Sequence, residues 1–71
     1  MKIVFEGKEY TLIQDAYIDG VPGEKPFYRA NAVDAEGRLY EIRWDVKDNW
    51  EEIEDESEMC DWDSPKGVFA V

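Results

Sequence analysis

Histidine is absent from this chain of 71 residues, and cysteine occurs once, at Cys60. The first absence removes the commonest general base and the commonest metal ligand, and with them every Ser–His or Cys–His nucleophile pair. The second leaves no internal disulfide, and together they exclude the Cys/His zinc patterns. No apolar run approaches the roughly 18 residues that a membrane span needs. The opening stretch Met1–Glu6 is too short for the apolar core of a signal peptide. The five glycines (Gly7, Gly20, Gly23, Gly37, Gly67) are scattered and build no phosphate-cradling loop. A lone thiol without a partner fits a reducing, cytoplasmic setting.

Basic residues are missing altogether between Asp48 and Asp63, and this absence is the most informative. The stretch holds nine acids: Asp48, Glu51, Glu52, Glu54, Asp55, Glu56, Glu58, Asp61 and Asp63. The chain's net charge is −10, and elsewhere its acids and bases nearly cancel. The excess charge therefore sits in one short segment. Charge this localised concerns partners more than chemistry. It repels nucleic acid and anionic lipid, so the expected partner is a basic protein surface. Three Trp, four Tyr and three Phe, in a chain that is 44% hydrophobic, argue for a folded domain despite the charge. One domain covers residues 1–71. A core of this size yields only about 3–5 kcal/mol of net stability.

The periodicity predicts strands. Met1, Ile3 and Phe5 alternate with Lys2, Val4 and Glu6, and Glu9–Ile18 resumes the pattern after Gly7-Lys8. A type II′ turn at Gly7-Lys8 would set Phe5 opposite Tyr10 and Ile3 opposite Leu12, with Glu6 facing Glu9 as a small electrostatic fault. Asp19–Pro26, with two Gly and two Pro, reads as a loop. Phe27–Asp34 and Arg38–Val46 read as a second hairpin around Ala35-Glu36-Gly37. A three-residue loop with Gly37 left-handed pairs Ala32 with Tyr40, Ala30 with Ile42 and Tyr28 with Trp44, small side chains facing large ones. After the acidic segment, Asp63-Ser64-Pro65 breaks any helix and Gly67–Val71 closes the structure as a short strand. The expected fold is mainly β: a small antiparallel meander, or an SH3-like open barrel, of four to five strands, with a short acidic helix or loop before the last strand.

Within the acidic segment Trp50, Ile53, Ser57 and Cys60 share a helical face, and Asp48 or Asn49 offers a cap with Glu51 or Glu52 three residues on. Glu51–Asp55, Glu52–Glu56 and Glu54–Glu58 oppose a helix as like-charge pairs, together costing about 1 kcal/mol. A short helix or a turn-rich loop is expected, with Trp50 and Ile53 anchoring it on the sheet.

Catalytic candidates are few. Asp34, Glu41 and Arg43 faintly match the acid and acid-x-Lys arrangement of metal-dependent nucleases, but Arg replaces the lysine. The expectation is a solvated strand face with Arg43 bonded to Glu41, Asp45 or Asn31. No glycine within Asp48–Asp63 supports an EF-hand loop, so neither a metal nor any other cofactor is expected. Cys60, among acids, is expected to be buried and unreactive. Trp44 belongs to the core by its strand phase. Trp62, flanked by Asp61 and Asp63, is a hot-spot candidate if exposed.

The candidate partner-binding residues are thus Glu51, Glu52, Glu54, Asp55, Glu56, Glu58, Asp61, Trp62 and Asp63, in a non-enzymatic protein. Charge spacing sharpens the expectation. Duplex DNA carries one charge per about 1.7 Å. The segment would approach this as a helix, at about 2.7 Å per charge, and not as an extended chain, at nearly 6 Å, or about 3.3 Å per residue. In size and charge the chain is similar to proteins that mimic nucleic acid, including anti-restriction and anti-CRISPR inhibitors. The alternative is a β module that binds a peptide or partner through an aromatic surface or a free strand edge, with the acids giving solubility and steering.

Overall fold

A computed structural model describes all 71 residues. Six strands form one antiparallel sheet: β1 (Lys2–Phe5), β2 (Lys8–Leu12), β3 (Tyr17–Asp19), β4 (Phe27–Val33), β5 (Leu39–Asp45) and β6 (Gly67–Ala70). The spatial order is β1-β2-β4-β5-β6, with β3 also paired to β4. The chain is therefore a meander. Its sheet is open, with β1 and β6 as free edges, and does not close into the barrel considered from the sequence.

The second hairpin has the register its side-chain volumes dictate: Tyr28 opposite Trp44, Ala30 opposite Ile42, Ala32 opposite Tyr40. Gly37 takes φ 81° in the three-residue loop. Asp34 locks that loop by accepting from the backbone N–H groups of Arg38 and Glu36, both at 2.9 Å. Those bonds, the Arg38 one first, hold the Asp34 carboxyl below its ordinary pKa.

The first hairpin differs from expectation. Ile3 pairs with Tyr10, Val4 with Glu9 and Phe5 with Lys8, so the central turn residues are Glu6 and Gly7, not Gly7 and Lys8. Both have positive φ, 52° and 80°, which is a type I′ turn. The register moves by two residues, so every side chain keeps its face. The shift parts Glu6 from Glu9 and brings Lys2 to 3.5 Å from Glu9. It forces Glu6 into a left-handed conformation, which costs a non-glycine residue about 1 kcal/mol.

The expected strand Glu9–Ile18 is broken. Leu12 pairs with Ala32 and Tyr17 with Arg29, so four residues (13–16) stand opposite two. This is an enlarged bulge. The Ile13 N–H still reaches the Asn31 carbonyl at 3.0 Å, and the Gln14 side-chain oxygen accepts from the Asn31 N–H at 3.2 Å. A side chain thereby replaces a missing backbone partner.

One face of the sheet is the core: Ile3, Tyr10, Tyr28, Ala30, Ala32, Ile42 and Trp44, with Val46 just beyond β5. Strict alternation of burial along β4 places Ala30 and Ala32 there. The lack of bulk at Ala32 lets the Tyr10 and Tyr40 rings meet edge-on across β4, with centroids 5.2 Å apart. No second sheet or α-helix covers this face. The cover is the segment from Val46 to Trp62, which contributes buried Met59 and Cys60 and half-buried Trp50, Ile53 and Trp62.

Candidate functional site

The acidic segment is a closed loop. Val46 and Cys60 form an isolated antiparallel bridge, and the Lys47 N–H donates to the Met59 carbonyl at 2.8 Å. Between these points the backbone makes two 3₁₀ turns, Trp50–Glu52 and Glu56–Glu58. Neither extends into an α-helix, in keeping with the like-charge pairs at four-residue spacing. Asn49 stands at the cap of the first turn but makes no side-chain capping bond. Asp55 caps the second, accepting from the Ser57 hydroxyl at 2.8 Å and from the Ser57 N–H at 3.0 Å. The hydroxyl first, then the N–H, holds the Asp55 carboxyl below its ordinary pKa.

The loop has two sides. Trp50, Ile53, Met59, Cys60 and Trp62 turn toward the sheet, while all nine carboxylates are exposed. Of these only Asp48 is ion-paired, to Lys25 at 3.0 Å. The acids do not converge into any group of three that could grip an ion. They are spread over both limbs of a loop whose ends meet. Two acids from elsewhere extend the field: Asp15 shares a cleft with Glu56, and Glu24 shares a hollow with Asp48 and Glu51. Asp19, Glu41 and Asp45 do not extend it, because they pair with bases on the other sheet face.

Trp62 is fastened, not free. Its indole N–H donates to the Ser57 carbonyl at 2.8 Å, and its own carbonyl accepts from the Trp44 indole at 3.0 Å. Its ring meets Tyr28 and Trp44 edge-on, each with centroids 5.2 Å apart. It is half-buried and forms one wall of the Asp15–Glu56 cleft. Beside it, burial first and the Glu56 charge second raise the Tyr28 pKa. Burial, then the Asp45 carboxylate, pushes the Cys60 thiol up to about 11, the direction of an inert thiol.

The opposite sheet face holds a second ordered array. Arg29 lies 3.1 Å from Asp19 and 3.2 Å from Glu41, over the Tyr17 ring. Arg43 lies 2.6 Å from Glu41, between the rings of Phe27 and Phe69. Glu41 and Arg43 are thus bound to each other, as expected, while Asp34 is committed to its turn at the end of the hairpin. These residues do not form a nuclease-like constellation.

Sequence reasoning missed the cleft beside the loop. A signal for it exists: Gln14 falls in the inward phase of Tyr10 and Leu12, and a polar residue there marks the break in the strand. No family model, curated protein or solved structure matches this chain.

Proposed function

We propose that this protein is a non-enzymatic binding module that presents its acidic loop to a basic, nucleic-acid-binding surface of another protein and so occupies the place of the nucleic acid. The carrying observation is the closed loop itself: nine exposed carboxylates on a short, doubly turned backbone, with one of them ion-paired. The two 3₁₀ turns, with a rise of about 2.0 Å per residue, hold Glu51 and Glu52, and Glu56 and Glu58, closer together than an extended chain would. The apolar anchors hold this arrangement before any partner arrives, which lowers the ordering cost of binding.

The test is capture of DNA- or RNA-binding proteins from a lysate on the immobilised chain, followed by competition with a duplex oligonucleotide. Under this reading the duplex displaces the captured protein, and affinity falls steeply between about 0.05 and 0.2 M salt. Charge reversal at Glu51, Glu52, Glu54 and Asp55 abolishes capture. Affinity indifferent to salt would sink the reading.

A second reading rests on the free edge β6. Its sequence, Gly67-Val68-Phe69-Ala70, has no charge and no proline, and Phe69 is 47% exposed. Natural sheets ordinarily protect such an edge. It suits strand addition by a partner peptide, with the acids only steering. The same charge reversal would then slow association and leave a complex.

A further inference from the structure

The bulge at residues 13–16 sacrifices ladder pairing and needs the Gln14 side chain to satisfy Asn31. Its structural consequence is a wall. Between the bulge and the second turn of the acidic loop lies an open cleft of about 710 Å³. Half-buried Leu12, Ala16 and Trp62 line it, with exposed Ile13. Asp15 lines it from the bulge and Glu56 from the loop. Neither carboxylate belongs to any ion pair of the protein.

The lining, completed by Met1, Gln14 and Ser57, mixes apolar and polar groups with two carboxylates that join no ion pair, and this mixture narrows the occupant. An anion is repelled, and an apolar side chain would desolvate both carboxylates without replacing their hydrogen bonds. An apolar stem ending in a cation satisfies both parts. Arginine fits better than lysine. Its planar, weakly hydrated guanidinium stacks on an indole and bonds carboxylates through a fixed fork. We propose that this cleft is a pocket for an arginine side chain projecting from the basic surface that the acidic loop engages. The inference rests on that reading of the loop and adds to it a short-range, orienting contact, less sensitive to salt than the loop's diffuse field.

The test uses the whole chain, labelled with ¹⁵N, and two blocked tripeptides, acetyl-Gly-Arg-Gly-amide and acetyl-Gly-Lys-Gly-amide, at about 0.15 M NaCl. The Trp62 indole N–H, bonded to Ser57 at the cleft wall, is the reporter. The arginine peptide should shift this resonance and the Gln14 and Asp15 amides saturably, and bind at least about fivefold tighter than the lysine peptide. Asp15→Asn with Glu56→Gln, both at exposed positions, should weaken binding about tenfold. Ala16→Trp, which projects a bulky side chain into the cleft, should weaken it. Glu36→Gln, in the turn between β4 and β5 and outside the cleft, should leave it unchanged. Shifts that fail to saturate, that spread evenly over the loop amides, or that keep the parent's affinity in the Asp15/Glu56 variant overturn the pocket. So does an equal response to lysine. DNA-displaceable capture without the tripeptide response overturns the pocket and leaves the loop reading intact; the tripeptide response without such capture supports the pocket and removes the partner assigned to it.

Discussion

The indole of Trp62 ties the acidic loop to itself through Ser57, while its backbone ties the loop to the core through Trp44. Trp62→Phe keeps most of the ring contact and removes one hydrogen bond. The expected loss is about 1 kcal/mol, or roughly 4–8 °C in Tm for a domain of this size, measured by thermal melting. An unchanged Tm would mean that the bond does not hold the loop. Cys60 gives a prediction in pH. Its thiol titrates near 11 in the folded protein against 9.0 unperturbed, and Tyr28 shifts the same way. The folded chain therefore keeps protons that the unfolded chain loses, so this stability is fully present below about pH 9 and drains away as pH rises through about 11. Urea titrations of Cys60→Ala near pH 8 and near pH 10 should show a shallower alkaline decline than the parent. An identical decline in both would exclude the thiol as a cause.

The two hairpins show how far an element can be read in isolation. In the second, volumes of opposite sign at Ala30/Ile42 and Ala32/Tyr40 left one acceptable register, and Asp34 with Gly37 supplied a turn to match. In the first, both candidate turns kept the same residues inward, so the apolar pattern could not choose between them. The choice fell to the Lys2–Glu9 pair and the separation of Glu6 from Glu9, with Glu6 strained at φ 52°. Asn tolerates that conformation and favours this turn ahead of Gly. Glu6→Asn should therefore stabilise the protein by up to about 1 kcal/mol, seen as a higher urea midpoint with unchanged slope. A lower midpoint would argue against the Glu6-Gly7 turn. The broken strand was illegible for another reason. Gln14 and Asp15 fit an alternating pattern loosely, and only the position of Asn31 on the neighbouring strand gives the Gln14 side chain its task.

At the scale of the molecule, one segment serves two purposes that oppose each other. The loop covers the sheet through Trp50, Ile53, Met59, Cys60 and Trp62, and it crowds nine like charges into the same stretch. Its repulsion therefore acts directly on the second layer of the fold. Added salt should raise Tm between low ionic strength and about 0.15 M NaCl. Neutralising Glu51, Glu52 and Glu54 to Gln should raise the low-salt Tm and flatten that dependence. A Tm that falls with salt in the parent would contradict this account. A basic partner would relieve the same repulsion, so its binding should also stabilise the fold.

Alternation and side-chain volume fixed the strand class, the second hairpin and the inward side of β1, β2, β4 and β5, because these follow from local geometry with a period of two. Local composition likewise set the charge of the loop and ruled out histidine and disulfide chemistry. What sequence spacing could not decide was whether sixteen residues carrying nine charges would lie extended or close on themselves. The bridge between Val46 and Cys60 and the seat of Trp62 on Tyr28 and Trp44 decided it. Those contacts join residues far apart in the chain, and their geometry exists only once the sheet has formed beneath them. The cleft at Asp15 and Glu56 has the same origin: its two carboxylates are forty-one positions apart in the sequence and share a cleft only in the folded chain.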